Sequence, residues 1–146
     1  MAVRTHGKRN EEEEMIDKST YNEEALFPQI AAVDFDGLLV ENKFPEIGEI
    51  RQPMFNAVKY LQENGWKIIL WSCRTGDMLK DAVEFCVQHG LVPDAVNENL
   101  KEVQEYFGGD TRKVFANMYL DDRSANYRSD LGVFATIPPE LCEFPL

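Results

Sequence analysis

The residues best suited to chemistry in this sequence are acids that follow apolar segments. Asp34 and Asp36 come directly after one apolar run, and Asp121 and Asp122 come directly after another. Carboxylates brought close together repel one another and raise each other's pKa unless a cation neutralises them. Mg²⁺ prefers a few carboxylates together with water and phosphate oxygens. If the two runs are neighbouring strands, these four acids are predicted to form a magnesium site.

The same residues suit the hydrolysis of a phosphate ester. A carboxylate beside a metal can attack phosphorus in line and form an aspartyl-phosphate that water then cleaves. Asp34 is the predicted nucleophile. Asp36 is the predicted acid and base at the leaving oxygen, with its backbone carbonyl directed to the metal. Ser72 and Lys113 are predicted to hold the phosphoryl oxygens, where negative charge must be offset.

The elements that must position these residues alternate between strands and helices. The sequence predicts strands at 30–33, 68–71, 95–96, 114–120 and 133–137, and helices around 53–63, 79–89 and 100–107. Each helix ends at a glycine, which is typical of helix termination. This order predicts an α/β fold, a three-layer α/β/α sandwich with a mostly parallel, Rossmann-like sheet. Ligands of such sheets bind beyond the carboxyl ends of the strands, where the acids stand.

Composition limits the classes of protein that remain. The 146 residues contain 15 Lys plus Arg against 26 Asp plus Glu, a net charge of −11, which excludes a basic nucleic-acid module. Residues 1–24 contribute −3 and are nearly devoid of apolar residues, so an acidic, flexible tail is expected there, followed by one domain at 25–146. We expect no membrane segment, because no stretch approaches the roughly 18 consecutive apolar residues that one requires.

The three cysteines form no CxxC pair, and their number is odd. A disulfide framework is therefore not expected, and reduced thiols in a cytoplasmic protein are. The N-terminal residues also lack the apolar core of a secretory signal. The sequence offers no set of histidines and cysteines with zinc-ligand spacing, which again favours a hard cation bound by oxygen.

Four segments together resemble the motifs of a known family. DFDGLL at 34–39, IILWS ending at Ser72, Lys113, and YLDD at 119–122 occur in the order of the four motifs of the haloacid dehalogenase superfamily of phosphohydrolases. The resemblance covers about residues 29–137. It implies the roles given above, with Asp122 as the metal ligand of the fourth motif and Asp121 assisting or orienting it. Leu38 departs from the family, which usually has Thr or Val there.

Spacing indicates a member without a cap domain. The segments from Asp36 to Ser72 and from Ser72 to Lys113 are too short for an additional domain at typical loop lengths. An open site then calls for closure by a large substrate, by a neighbouring subunit in a homo-oligomer, or by a loop at 41–49. In that loop Asn42, Lys43 and Phe44 are the predicted specificity residues. Arg74 is a further predicted substrate contact.

Several alternatives stay open at this stage. Lys101 or Arg112, rather than Lys113, is a second choice for the cation that holds phosphate. The expected partner is a small phosphorylated metabolite, sugar or nucleotide, because the negative charge disfavours duplex nucleic acid. A non-catalytic interaction protein on the same scaffold is one alternative function. A phospho-accepting signalling module is another, although receiver domains carry their acid pair on the first strand, opposite to the order here.

Overall fold

A computed structural model gives the fold of this chain and describes residues 21–134. The elements in chain order are α1 (Glu23–Leu26), β1 (Ile30–Val33), β2 (Val40–Lys43), β3 (Glu46–Ile50), α2 (Gln52–Glu63), β4 (Lys67–Leu70), α3 (Gly76–Gln88), β5 (Ala95–Val96), α4 (Lys101–Phe107), β6 (Met118–Leu120), β7 (Tyr127–Arg128) and β8 (Val133–Phe134). None of the described helices is long and apolar enough to cross a membrane.

The centre of the fold is a four-stranded parallel sheet in the order β5-β4-β1-β6. The chain moves outward from β1 to β5 and then returns to the other side of β1 to form β6. The direction therefore reverses between β1 and β6, which is the switch point where open α/β sheets bind ligands. Helices cover both faces, so the predicted Rossmann-like three-layer sandwich is confirmed.

Alternation along β1 divides the core between the two faces. Ala31 and Val33 belong to the cluster that also contains residues of α2 and α3, such as Phe55 and Cys86. The other face of β1 packs against a second cluster, which contains Val103 of α4. Since all four residues of β1 are fully or almost fully buried, the strand reads as a continuous apolar run in the sequence.

Helix limits follow the expected signals. Pro53 lies in the first turn of α2, where a missing N–H costs nothing. Gly65 lies just beyond α2 with φ +90°, and Gly108 ends α4 with φ +77°, both in the left-handed region that glycine adopts without steric cost.

The predicted strand at 114–120 is shorter in the structure. Its ladder begins at Asn117, which exchanges hydrogen bonds with Ile30 through its backbone N–H and its side-chain oxygen, both at 2.8 Å. The preceding residues are bound differently, because Phe115 N–H donates to the Asn99 side chain at 2.6 Å. Ala116 N–H likewise donates to the Tyr119 hydroxyl at 3.2 Å, so side-chain acceptors replace a neighbouring strand at residues 115 and 116.

The last predicted strand does not join the parallel sheet. Val133–Phe134 pairs antiparallel with Tyr127–Arg128 as a separate two-stranded unit, and residues 135–137 of that prediction lie outside the described residues. Residues 21–24 of the segment predicted as a tail belong to the described part of the chain. Tyr21 lies 6.2 Å from the ring of Tyr106, and Glu23 accepts a hydrogen bond from Asn117 at 3.1 Å, while residues 1–20 lie outside the described part.

The segment at 41–49, expected to be a loop, is the greater part of an antiparallel hairpin formed by β2 and β3. Most of its residues are exposed, so the sequence lacks the alternation that marks a half-buried strand. Gly48 lies against the backbone carbonyl of Glu41 and leaves no room for a Cβ, near the place where the register shifts. Within the described residues no further domain is inserted, which confirms the capless architecture.

Candidate active site

The acids at the ends of β1 and β6 lie side by side. Val33 and Leu120 are partners in the parallel register of β1 and β6. Asp34 directly follows Val33, and Asp121 directly follows Leu120. The backbone continues this pairing, because Asp34 N–H donates to the Leu120 carbonyl at 2.9 Å. Two adjacent parallel strands thus deliver their following residues to the same edge of the sheet.

We call Asp34, Asp121 and Asp122 the acidic cluster. Each residue presents a carboxylate oxygen that lies within 4.8 Å of the other two, and all three residues are half-buried. Burial, a hydrogen bond with Asp122 and the charge of Asp121 raise the pKa of Asp34 to about 8. Oxygen donors at this spacing fit a hard divalent cation such as Mg²⁺, which would replace the shared proton.

Gly37 allows the acidic cluster to close up. Its φ is +88°, and a Cβ built there would overlap with the Asp122 carboxylate. The turn is held by Gly37 N–H, which donates to the Val40 carbonyl at 2.8 Å. Leu38 is fully buried in the core, so an apolar residue there is explained by packing.

Asp36 has surroundings of the opposite sign. Its two carboxylate oxygens accept hydrogen bonds from Arg74 Nε at 2.7 Å and Nη2 at 2.8 Å. Arg74 is only 2% exposed, and the pairing with Asp36 raises the pKa of its guanidinium. The sequence predicted Arg74 as a substrate contact. The structure makes Arg74 the partner of Asp36 and also places it in the lining of the cleft.

Ser72 is positioned by Asn97. Ser72 N–H donates to the Asn97 side-chain oxygen at 2.7 Å, and the Asn97 amide donates back to the Ser72 carbonyl at 2.8 Å. Asn97 has φ +51°, a left-handed conformation that asparagine tolerates better than most residues. The Ser72 hydroxyl accepts from Arg74 N–H at 3.1 Å. Paired loops after β4 and β5 therefore present Ser72 to the acidic edge.

A cleft of about 330 Å³ contains these groups. Its lining comprises Asp34, Asp36, Asn42, Phe44, Ser72, Cys73, Arg74, Asp121, Asp122 and Arg123. The β2–β3 hairpin supplies Asn42 and Phe44, whereas Lys43, also predicted as a specificity residue, is not part of the lining. Arg123 was missed by sequence reasoning, although its position directly after the acid pair was a usable signal.

The structure does not bring Lys113 to this cleft. Lys113 lines a separate cavity of about 340 Å³, and its ammonium lies 5.3 Å from the centre of the Tyr119 ring. Lys101 and Arg112, the two alternatives, are exposed and are also absent from the cleft lining. The prediction of Lys113 as the phosphate-holding cation is therefore corrected. Lys113 precedes β6, whereas Asp121 and Asp122 follow it at the opposite end of that strand.

No known protein-family model matches the chain, and no curated protein matches it. A solved structure of a conserved protein from Bacteroides thetaiotaomicron is similar to this chain, with a TM-score of 0.62. The two sequences are 36% identical, and the similarity covers 70% of this chain and 82% of the other.

Proposed function

We propose that this chain, which belongs to the same family as the conserved Bacteroides thetaiotaomicron protein, is an enzyme. On the basis of its acidic edge, the proposed activity is that of a magnesium-dependent phosphomonoester hydrolase of the haloacid dehalogenase type. The observation that carries the proposal is the convergence of Asp34, Asp121 and Asp122 at the switch point of the parallel sheet. Structural turns do not require three carboxylates in contact, since each unpaired charge in such a group is costly.

The acidic cluster would hold the magnesium ion together with the Asp36 carbonyl. Once bound, the cation would supply charge neutralisation for the phosphoryl group and lower the pKa of Asp34, which favours the carboxylate form. An ionised Asp34 is the form that can attack. This requirement links metal binding to the readiness of the nucleophile.

Two steps then use the residues of this chain. An Asp34 oxygen bonds to phosphorus as the bond from phosphorus to the ester oxygen breaks, and the departing alkoxide takes a proton from Asp36. In the second step water attacks the aspartyl-phosphate, Asp36 accepts its proton, and Asp34 departs as a carboxylate while inorganic phosphate forms. Each Asp36 oxygen retains a lone pair besides the one that accepts from Arg74, so an Asp36 oxygen can carry the proton for the ester oxygen while both hydrogen bonds to Arg74 remain.

With Lys113 outside the cleft, Ser72 and Arg123 are the residues that we propose bind the phosphoryl oxygens. Both line the cleft, and Arg123 is exposed, with its backbone N–H donating to Asp121 at 2.8 Å. Ser72 offers a hydroxyl from the end of β4. A cleft of about 330 Å³ lies at the lower end of the range for small-molecule sites, which supports a small phosphorylated metabolite, sugar or nucleotide as substrate.

The further parts of the proposal concern surroundings and partners. The free thiols of Cys73 and Cys86 support a reducing, cytoplasmic compartment. The net charge of −11 weighs against duplex nucleic acid. A homo-oligomer would give the open cleft a second wall, in addition to the hairpin.

A non-catalytic interaction protein is the second candidate. It is favoured by the position of Lys113 outside the cleft and by the engagement of both Asp36 oxygens with Arg74. The two candidates differ in one measurement. A panel of phosphomonoesters assayed for phosphate release with and without Mg²⁺ should show turnover that needs the metal and vanishes in Asp34→Asn. Absence of metal-stimulated release across the panel would favour the interaction protein.

A further inference from the structure

Arg74 joins three parts of the molecule through one guanidinium. Besides its two bonds to Asp36, Nη2 donates to the Glu46 carbonyl at 2.9 Å and Nη1 donates to the Pro45 carbonyl at 3.0 Å. A fifth contact runs from Nη1 to the Met78 carbonyl in α3 at 3.4 Å. Arginine has five N–H donors, and these five contacts account for all of them.

Two aromatic rings also lie close to the guanidinium. Its central carbon lies 5.3 Å from the centre of the Phe35 ring and 5.2 Å from the centre of the Phe44 ring. The guanidinium therefore lies near one ring from the turn that carries Asp36 and one ring from the tip of the β2–β3 hairpin. Because all five N–H groups donate hydrogen bonds and two rings lie nearby, only one orientation of the guanidinium satisfies all of its partners.

The hairpin that Arg74 holds is also a wall of the cleft. Its residues Asn42 and Phe44 line the cleft, and Phe44 is 54% exposed. Displacement of the hairpin would break the bonds to Pro45 and Glu46 and free the same Nη2 that binds Asp36. The position of the cleft wall and the position of the Asp36 carboxylate are therefore not independent.

We propose that Arg74 is a positioning residue that couples the β2–β3 hairpin to the Asp36 carboxylate. One guanidinium then fixes the position of the cleft wall that faces the leaving group and the position of the carboxyl group that exchanges a proton with it. This inference rests on the proposed function for its consequence in catalysis, but the coupling itself is a property of the fold. Lysine cannot substitute, because an ammonium lacks the planar fork that reaches the carboxylate and the carbonyls together.

The first test is amide hydrogen exchange on the full chain without substrate. Arg74→Lys should increase exchange at the hairpin amides, and Asp36→Asn, which retains the guanidinium, should increase it at the same amides. The matched control is Arg128→Lys, which alters an exposed Arg–Asp pair with similar bond lengths of 3.1 and 2.9 Å. Hairpin exchange that is unchanged in Asp36→Asn, or a rise spread equally over α2 and β4, would overturn the coupling.

The second test is a double-mutant cycle on phosphate release. If Arg74 acts through Asp36, Arg74→Lys should reduce kcat by about tenfold or more, and adding it to Asp36→Asn should cause little further loss in kcat. KM should also rise in Arg74→Lys, because the hairpin wall moves. Losses that multiply in the double variant would refute the positioning role. If the wild-type protein releases no phosphate from any ester, the proposed function fails, and hydrogen exchange still decides the coupling.

Discussion

Asp34 and Asp36 lie two residues apart on one turn, yet the first faces two further carboxylates and the second faces a buried guanidinium. Burial and repulsion raise the pKa of Asp34 to about 8, so the surroundings of Asp34 favour its protonated form. Asp36 has its cation within the fold. The contrast shows that one short segment can combine a carboxyl group crowded by other acids with a carboxylate whose counterion lies within the fold.

Removal of the Asp34 charge should have the greatest effect on activity. Asp34→Asn should reduce metal-dependent phosphate release at least about a thousandfold, because the amide is a far weaker nucleophile and a poorer metal ligand. The fold should persist, since the substitution relieves repulsion within the acidic cluster. The measurement is phosphate release together with a thermal melt, with Asp130→Asn as the exposed control. A rate equal to that of the wild type would contradict the assignment.

A second test of this contrast is to vary pH and metal together. The pKa of Asp34 is raised from 3.8 to about 8, so the folded state keeps a proton that the unfolded state loses above about pH 4. The stability of the metal-free protein should therefore fall as pH rises from about 4 to 8. The proposed Mg²⁺ would displace this proton, so its stabilising effect should grow over the same range and reach about 2.7 kcal/mol at 100 times Kd.

Thermal melts with and without Mg²⁺ at pH 6 and pH 8.5 measure this linkage. The Asp34→Asn variant is the control, because it removes the titrating group and should flatten the pH dependence. Stabilisation by Mg²⁺ of equal size at both pH values would show that the metal does not compete with a proton at Asp34.

The packing of the acidic cluster can be sharpened by a pair of glycine variants. Gly37→Ala should destabilise by more than Gly65→Ala, because both positions have a positive φ but only Gly37 lies against Asp122. The backbone strain common to both is about 1–3 kcal/mol. Urea unfolding measures stability, and calorimetric titration with Mg²⁺ should show weaker binding only for Gly37→Ala. Equal losses at the two sites would mean that the contact with Asp122 is unimportant.

The smallest expected effect concerns Lys113. Lys113→Met should leave kcat/KM within about twofold of wild type, because the side chain lies outside the cleft and exposed substitutions usually change stability by less than about 0.5 kcal/mol. Arg123→Met should instead raise KM for phosphate esters. A large loss of kcat in Lys113→Met would restore the role that the sequence motif predicted.

Local patterns predicted the sheet and the acids because both depend on short stretches of chain. Four consecutive buried residues produce the apolar run of β1, and the acids follow where that run ends. The hairpin at 40–50 could not be found in this way, since most of its residues are exposed and no alternation results. The tertiary contacts of Asn99 likewise shortened the strand before Asp121.

The sequence by itself therefore determined where strands end and which acids follow them, because a buried strand is recognisable from its run of consecutive apolar residues. Only the tertiary structure decided which cation meets which acid. Lys113 has the spacing of a motif but lies toward another cavity, whereas Arg74 is 38 residues from Asp36 and meets it across the packed turn. Such pairings depend on how separate elements pack against one another. The partners of a guanidinium therefore cannot be predicted from the residues next to it in the sequence.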